Sequence, residues 1–572
     1  MTEREVAWDA AESAAGNLGP ESSLVARLDS GGFGESVAVV LQRAATHPGD
    51  VMAANLRLAG RLALVGPTAF ARWLGVEAAP PVAVEKDRRF ADPTWEDNPV
   101  FFALRQSYLS LLAFAEELLD AGRGSDADAS AAGKAEIMMR LFFDAVAPTN
   151  FLLTNPAALK RAFETAGGSV AAGARNFVDD ALHNKGRPRQ VDSRPFHIGT
   201  NLAATQGKVV FRNDLMELIQ YAPQTDQVHT VPLLASPPWI NKYYVMDLAP
   251  GRSFIEWAVQ HRRTVFAISY RNPDETMRNV TLDDYLIQGP QAALDIVADI
   301  TGSDTVDIVG LCLGGALTAM TAAYLTDTGD TRIGSITLLN TLLDYSDPGA
   351  LGLFTDEKNV TQLEQKMAAK GFLEASSMAT TFDLLRANDL IFNYVVSNWL
   401  MGQDPPAFDI LAWNADSTRM PAAMHSFYLR SLYLNNLLAR GELEIAGQRL
   451  SLSDVKSDAY IVGAVNDHIV PWTGSYQATR LLAGDVRYVL TSGGHIAGIV
   501  NPPNPKAWYE AAEHNPIDPA QWREQASHVS GSWWEDWADW GADRAGPLTS
   551  PPPLGSDAYP ALGDAPGEYI RG

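Results

Sequence analysis

Val306-Asp307-Ile308-Val309-Gly310-Leu311-Cys312-Leu313-Gly314-Gly315 contains the only cysteine of the 572-residue chain. A short apolar run enters a G-x-C-x-G-G turn, and helix-forming residues follow it. Such a run predicts strand, sharp turn and helix, with cysteine at the position where a nucleophilic serine is usual. Glycines on both sides of Cys312 let the backbone bend and a substrate approach, which a cysteine that merely fills a core does not require. The stretch marks Cys312 as the reactive atom of an enzyme.

Around this turn, short β-rich runs alternate with helical stretches: 209–211, 231–234, 264–269, 307–311, 335–339, 460–465 and 486–490. Strands alternating with helices predict a mostly parallel sheet covered on both faces. Over a hundred residues separate the run at Ser335 from the run at Tyr460, where a crossover needs roughly a dozen. The excess, about 344–450, is expected to form an inserted cap over the active site. Upstream, helical periodicity at 36–65, an Asn98-Pro99 start leading to Leu119, and a further run at 135–181 predict a largely α-helical region. The expected organisation is therefore an N-terminal helical domain over 1–205, a catalytic domain over 206–545 and a Pro/Gly-rich disordered tail over 546–572, with residues 1–35 loosely ordered.

A free thiol has a pKa of about 8.5 and is mostly protonated at neutral pH, so it needs a base and a group to orient that base. The run at Tyr460 ends in Asn466-Asp467-His468-Ile469-Val470-Pro471, and the next ends in Ser492-Gly493-Gly494-His495. An acid after one late strand and a histidine after the next, behind the nucleophile, is the triad order of the α/β-hydrolase fold. His495 is expected to take the Cys312 proton, and Asp467 to hold the imidazole in the working tautomer. The oxyanion hole is expected from the N–H of Leu313 and one from Pro237-Pro238-Trp239-Ile240-Asn241, where Trp239 or Ile240 can donate and the prolines cannot.

The net charge of −24 excludes nonspecific nucleic-acid binding, which depends on cations neutralising phosphates. An anionic substrate then needs local help, for which Lys242 and Arg271 are candidates; Asn241 and His468 complete the substrate-binding candidates. No metal site is expected. The charge-free run 308–326 is long enough to raise a membrane span, but its glycines and the flanking Asp307 and Asp327 fit a buried strand and helix better, so no transmembrane span is expected. A single cysteine allows no intrachain disulfide, and Met1-Thr2-Glu3-Arg4-Glu5-Val6 lacks a secretory pattern, so a cytoplasmic location is expected.

These residues resemble those of the polyhydroxyalkanoate synthases, which polymerise 3-hydroxyacyl-CoA into storage polyester. The resemblance rests on Gly310 to Gly315, on the run from Pro237 through Asn241 to Lys242-Tyr243-Tyr244, and on Arg271-Asn272-Pro273-Asp274, Asp467-His468-Ile469 and Gly494-His495-Ile496-Ala497-Gly498. It extends to Arg89-Phe90-Ala91-Asp92-Pro93, Asn150-Phe151, Thr154-Asn155-Pro156 and Gly531-Ser532-Trp533-Trp534. It implies the one-subunit class, with Cys312 as acyl-carrying nucleophile, His495 as base, and Asp467 assisting His495 or activating the incoming 3-hydroxyl. It further implies no cofactor, CoA being the leaving group, a homodimer, and association with the growing chain and the polyester granule surface. Ser269-Tyr270-Arg271 departs from the family, in which a tryptophan commonly precedes the arginine.

Two other readings stand beside the polymerase. One is a cysteine-dependent thioesterase or related α/β-hydrolase. The other is a noncatalytic granule-coat protein, suggested by the stripe Trp533, Trp534, Trp537 and Trp540, whose plainer reading is a helix packed on the core.

Overall fold

A computed structural model describes residues 32–83, 87–124 and 129–572. The expectation of loose order over 1–35 therefore lies almost wholly outside the described residues. The chain divides into two compact units, one formed by the residues up to Asp192 together with Thr380–Pro406, the other by Ser193–Ala379 and Ala407–Gly572.

The first unit is helical. Its long elements are α1 (Phe33–Ala44), α2 (Pro48–Trp73), α3 (Pro99–Gly122) and α4 (Ala129–Ala145). Asn98 caps α3 by accepting from the N–H groups of Val100 and Phe101, with Pro99 in the first turn, as the sequence predicted. Val40, Leu119 and Ala135 form one apolar cluster, and Phe90, Trp95, Tyr108 and Ala147 another.

Residues 380–406 correct the expectation of one continuous cap over 344–450. This segment belongs to the helical unit, where the Trp399 indole donates to buried Asp180 at 2.8 Å and the Asn176 amide donates to the Asn398 carbonyl at 3.1 Å. Gly173 has no room for a Cβ beside the Trp399 carbonyl, so the backbones meet there. A buried carboxylate needs such partners, and Asp180 takes one from nearby Arg189 and one from Trp399, more than 200 positions away in sequence. The expected boundary at 205 moves correspondingly to 192/193.

The second unit is built on an 11-stranded sheet. In chain order its strands are β1 (Gly207–Arg212), β2 (Met216–Tyr221), β3 (Leu233–Ser236), β4 (Val265–Tyr270), β5 (Val306–Leu311), β6 (Ile333–Leu339), β7 (Asp458–Ala464), β8 (Val486–Thr491), β9 (Trp508–Ala511), β10 (Ser527–Ser530) and β11 (Gly563–Asp564). Across the sheet they run β10-β9-β8-β7-β6-β5-β3-β4-β2-β1-β11. The central six, β4 to β8 through β3, β5, β6 and β7, are parallel, and the strands at both flanks are antiparallel. Each of the seven β-rich runs of the sequence overlaps one of these strands. β5 is central and fully buried, as its apolar run predicted.

From β5 the chain turns into α5 (Leu313–Asp327), buried on nearly every face. A helix apolar all round is a core helix, which accounts for the charge-free run at 308–326. Among the described residues no helix is long and apolar enough to cross a membrane.

Two parts of the sheet unit escaped the sequence pattern. β2 is completely buried yet contains Glu217 and Gln220, which break its apolar run. The segment 546–572, expected to be a disordered tail, satisfies them: Gln220 donates to the Pro553 carbonyl at 2.8 Å and accepts from Gly555 N–H at 2.7 Å. Glu217 accepts from Glu568 and Tyr569 N–H at 2.9 Å each. The tail is ordered because the sheet edge and two buried polar side chains need it.

The tryptophan stripe takes its plainer reading. In α6 (Trp533–Ala542) the rings of Trp533, Trp534 and Trp537 are buried, and their indoles donate to Gly498 O, Ile499 O and Thr337 Oγ1 at 2.8–3.0 Å. Ser532 and Glu535 close a capping box at the start of this helix.

Candidate active site

Cys312 sits between β5 and α5 with φ 53° and ψ −116°, a conformation that side chains other than glycine rarely adopt. The surroundings hold it there: Cys312 N–H donates to Leu339 O on β6 at 2.8 Å, and Cys312 O accepts from Gly315 and Ala316 N–H at 3.0 and 3.2 Å. Close approach makes two glycines necessary. A Cβ on Gly310 would lie 2.5 Å from Gly314 O and Gly315 Cα, and one on Gly314 would overlap Ser236 O and lie 2.5 Å from the Pro237 carbonyl. The turn therefore presses directly against the start of the Pro237–Asn241 loop. The thiol is half-buried, and the N-terminus of the 15-residue α5 begins beside it, so negative charge developing there meets the positive end of the helix.

The loops after β7 and β8 bring the other two residues together. The His495 ring donates through Nδ1–H to Asp467 Oδ2 at 2.7 Å, and the Asp467 side chain is fully buried. Asp467 Oδ1 accepts from Ile469 and Val470 N–H at 2.8 and 2.9 Å, which fixes the carboxylate as an acceptor at every position. With Nδ1 committed to Asp467, Nε2 is the ring nitrogen left for a second partner. Burial pulls the His495 pKa down, but the nearby charges of Asp467 and Cys312 together raise it well above its ordinary value. The arrangement favours the protonated imidazole.

Asn340 was not singled out by the sequence. It ends β6 with φ 42°, is fully buried, and donates through Nδ2 to the His495 carbonyl at 2.6 Å. Its own N–H donates to Val462 O on β7 at 2.8 Å. It ties the histidine loop to the strand ends beside the nucleophile.

Apolar and phenolic side chains surround the thiol. Trp239 is buried, with its ring edge-on to Tyr428 at 5.8 Å. Tyr433 lies 5.5 Å from Tyr428 and 4.9 Å from Tyr345, ring centre to ring centre. Burial raises the pKa of all three phenols, that of Tyr433 to about 12, and the charge on Cys312 contributes to each. They remain neutral and form a rigid, weakly polar wall. All three tyrosines lie within the expected cap at 344–450, and none was singled out as a site residue; the five-residue spacing of Tyr428 and Tyr433 was the available signal.

The remaining sequence candidates are placed as follows. Leu313 opens α5 directly after Cys312, Trp239, Ile240 and Cys312 share one apolar core, and the start of the Pro237–Asn241 loop lies against Gly314. The Asn241 N–H is already used, donating to Thr418 Oγ1 at 2.9 Å. Lys242 is only 8% exposed and its ammonium is occupied by Asp416 Oδ1 at 2.9 Å and Ile570 O at 2.6 Å. Arg271 pairs with Asp274 of its own loop at 2.5 Å. His468 is half-buried next to Asp467 in sequence, and it is His495 that engages the carboxylate. Among the described residues no group of three or more His, Cys, Asp and Glu side chains is placed to hold a metal ion.

Comparison with known proteins agrees with the fold. Residues 86–258 match the family described as the poly-beta-hydroxybutyrate polymerase (PhaC) N-terminus, and residues 236–502 match the alpha/beta hydrolase fold. The chain is 41% identical over 529 residues to a poly(3-hydroxyalkanoate) polymerase of Methylorubrum extorquens, spanning 92% of this chain and 87% of that protein. It is 42% identical over 488 residues to poly(3-hydroxyalkanoate) polymerase 2 of Ectopseudomonas oleovorans, spanning 85% and 86%. Identity to the poly(3-hydroxyalkanoate) polymerase subunit PhaC of Cupriavidus necator is 40% over 495 residues, spanning 85% and 83%.

Proposed function

This chain belongs to the poly(3-hydroxyalkanoate) polymerases, and from that premise we propose that it converts (R)-3-hydroxyacyl-CoA into polyester through a covalent thioester on Cys312. The Cys312 sulfur attacks the thioester carbonyl while His495 Nε2 holds the thiol proton. The oxyanion is met by Leu313 N–H and by Trp239 or Ile240 N–H, and by the positive end of α5. The tetrahedral intermediate collapses, the C–S bond to CoA breaks, and His495 returns the proton to the departing thiolate. The acyl group is then a thioester on Cys312 in place of one on CoA, so its activation is kept.

In the second half-reaction the 3-hydroxyl of another hydroxyacyl-CoA attacks the acyl-Cys312 carbonyl, His495, held by Asp467, removes the hydroxyl proton, and the C–S bond breaks as the Cys312 sulfur leaves and takes that proton back. Thioester becomes oxoester, a downhill step that lengthens the chain by one unit. The phenolic and apolar wall of Trp239, Tyr345, Tyr428 and Tyr433 limits water at the acyl-cysteine, which favours transfer to a hydroxyl over hydrolysis. No cofactor is required in this scheme, CoA being only the leaving group.

The observation that carries the reading is the Asp467–His495 pair, 2.7 Å apart, together with Cys312 on a strained turn whose charge acts on the same ring. We place the enzyme in the cytoplasm as a homodimer at the granule surface. Apolar side chains open to solvent on the helical unit, including Leu56, Phe70 and Trp73, support contact with polyester. Incubation with 3-hydroxybutyryl-CoA is expected to release CoA and leave insoluble polyester. Free 3-hydroxybutyrate as the only acyl product would replace the polymerase with a thioesterase.

A further inference from the structure

The Pro237–Asn241 loop is pressed against the nucleophile turn at one end, and at the other it is held by residues far away in sequence. Lys242 is the centre of that attachment. Its ammonium donates to the Ile570 carbonyl at 2.6 Å and pairs with Asp416 at 2.9 Å, and its own carbonyl accepts from the Trp413 indole at 2.8 Å. Tyr244 OH donates to the other oxygen of Asp416 at 3.0 Å. A buried ammonium is costly unless its protons are matched. Reaching toward a substrate phosphate would strip it of both partners.

Ile570 is itself fixed. The segment Gly563–Gly572 pairs with β1 through β11, and Glu568 and Tyr569 donate their N–H groups to Glu217, which is fully buried in β2. Tyr569 OH donates to Asn213 O at 2.6 Å. Gly567 has φ 81°, and a Cβ there would overlap the Glu217 carboxylate, so the strap passes directly over that side chain. A continuous set of bonds thus runs from Glu217 in β2, through the strap and the Lys242 ammonium, to the Pro237–Asn241 loop and the turn that carries Cys312.

We propose that Lys242 is a positioning residue for oxyanion stabilisation, and that the strap Gly563–Gly572 sets it by fixing the Ile570 carbonyl. The proposal rests on the reading above that the Pro237–Asn241 loop supplies an oxyanion donor. Donors must sit about 3 Å from the developing oxyanion, and losing one costs roughly a hundredfold or more in kcat, so a displaced loop acts on turnover and leaves substrate affinity unchanged.

Lys242→Met keeps the apolar stem and deletes both ammonium bonds. With 3-hydroxybutyryl-CoA, the full-length variant is expected to lose roughly tenfold to a hundredfold in kcat, with KM within twofold of the unaltered enzyme. Alkylation of Cys312 by iodoacetamide forms no oxyanion, so its rate should stay unchanged. Glu217→Gln leaves Lys242 intact but offers the strap amides a weaker acceptor; it should give the same split, and the double variant should be no slower than the slower single one. Glu217→Gln also carries the test if Lys242→Met does not fold.

A raised KM with kcat retained would make Lys242 a substrate grip and overturn the proposal. Equal loss of acylation and alkylation would place the effect on the thiol itself, and multiplicative effects in the double variant would separate strap from lysine; either result overturns it. If Cys312→Ala still released CoA at the unaltered rate, the thioester reading would fail by itself, whatever Lys242 does.

Discussion

Asp467→Asn is nearly isosteric, and its effect follows from counting acceptors. Asp467 accepts three hydrogen bonds, from His495 Nδ1–H at 2.7 Å, Ile469 N–H at 2.8 Å and Val470 N–H at 2.9 Å. Asparagine has one acceptor oxygen and one donor amide. If the oxygen keeps the two backbone N–H groups, the amide faces the ring and Nδ1 must accept, which moves the imidazole proton to Nε2 and removes the base from Cys312. Restoring the working tautomer means turning the amide toward two buried N–H donors and leaving both without an acceptor, at about 1–3 kcal/mol each. A total of roughly 2–6 kcal/mol, at about 1.36 kcal/mol per decade, lowers kcat by about 30-fold to about 26,000-fold. CoA release followed with a thiol-reactive dye at saturating 3-hydroxybutyryl-CoA measures this, with KM little changed. The first CoA reports acylation before any chain grows and should slow by a similar factor. A first turnover at the unaltered rate would refute the tautomer argument and move Asp467 to activation of the incoming hydroxyl.

Three further outcomes follow. Because Asp467 and Cys312 raise the His495 pKa against burial, the folded state holds that proton more tightly; the resulting stability is complete below about pH 6.5 and is lost as pH rises through the folded value. The denaturant-midpoint gap between the unaltered protein and Asp467→Asn should thus be larger near pH 6 than near pH 9, and a pH-independent gap would contradict the ion pair. Asn340→Leu leaves the His495 carbonyl without its 2.6 Å donor; stability should fall by about 1–3 kcal/mol and kcat should drop more than KM rises, whereas unchanged kcat would make Asn340 purely structural. Hydrogen exchange should find the Glu568 and Tyr569 amides protected by buried Glu217; exchange at the rate of an unstructured peptide would restore the disordered tail.

The nucleophile turn and its two partners were legible because each depends on local chemistry. Gly310, Gly314 and Gly315 are dictated by close backbone approach, and Asp467 and His495 follow strands legible as short β-rich runs. What the sequence concealed depends on distant partners. β2 was missed because Glu217 and Gln220 interrupt it, and they are tolerable in a buried strand only because residues 553–569 bond to them. The same segment looked disordered because proline and glycine signal little regular structure, and its order comes from side chains it meets far away. Lys242 looked like a grip for an anion because a charge read alone does not disclose Asp416 and Ile570. The helical unit's claim on 380–406 was hidden likewise, since Asp180 finds Trp399 across more than 200 residues.

The central claim is that the growing acyl chain is carried on the sulfur of Cys312. Brief incubation with 3-hydroxybutyryl-CoA, acid quench and peptide mass spectrometry tests it directly. The account predicts hydroxybutyryl units on the peptide containing Cys312, removable by neutral hydroxylamine, with one CoA released for each unit added. Acyl groups on any other residue, or CoA release at the unaltered rate by Cys312→Ala, would contradict it.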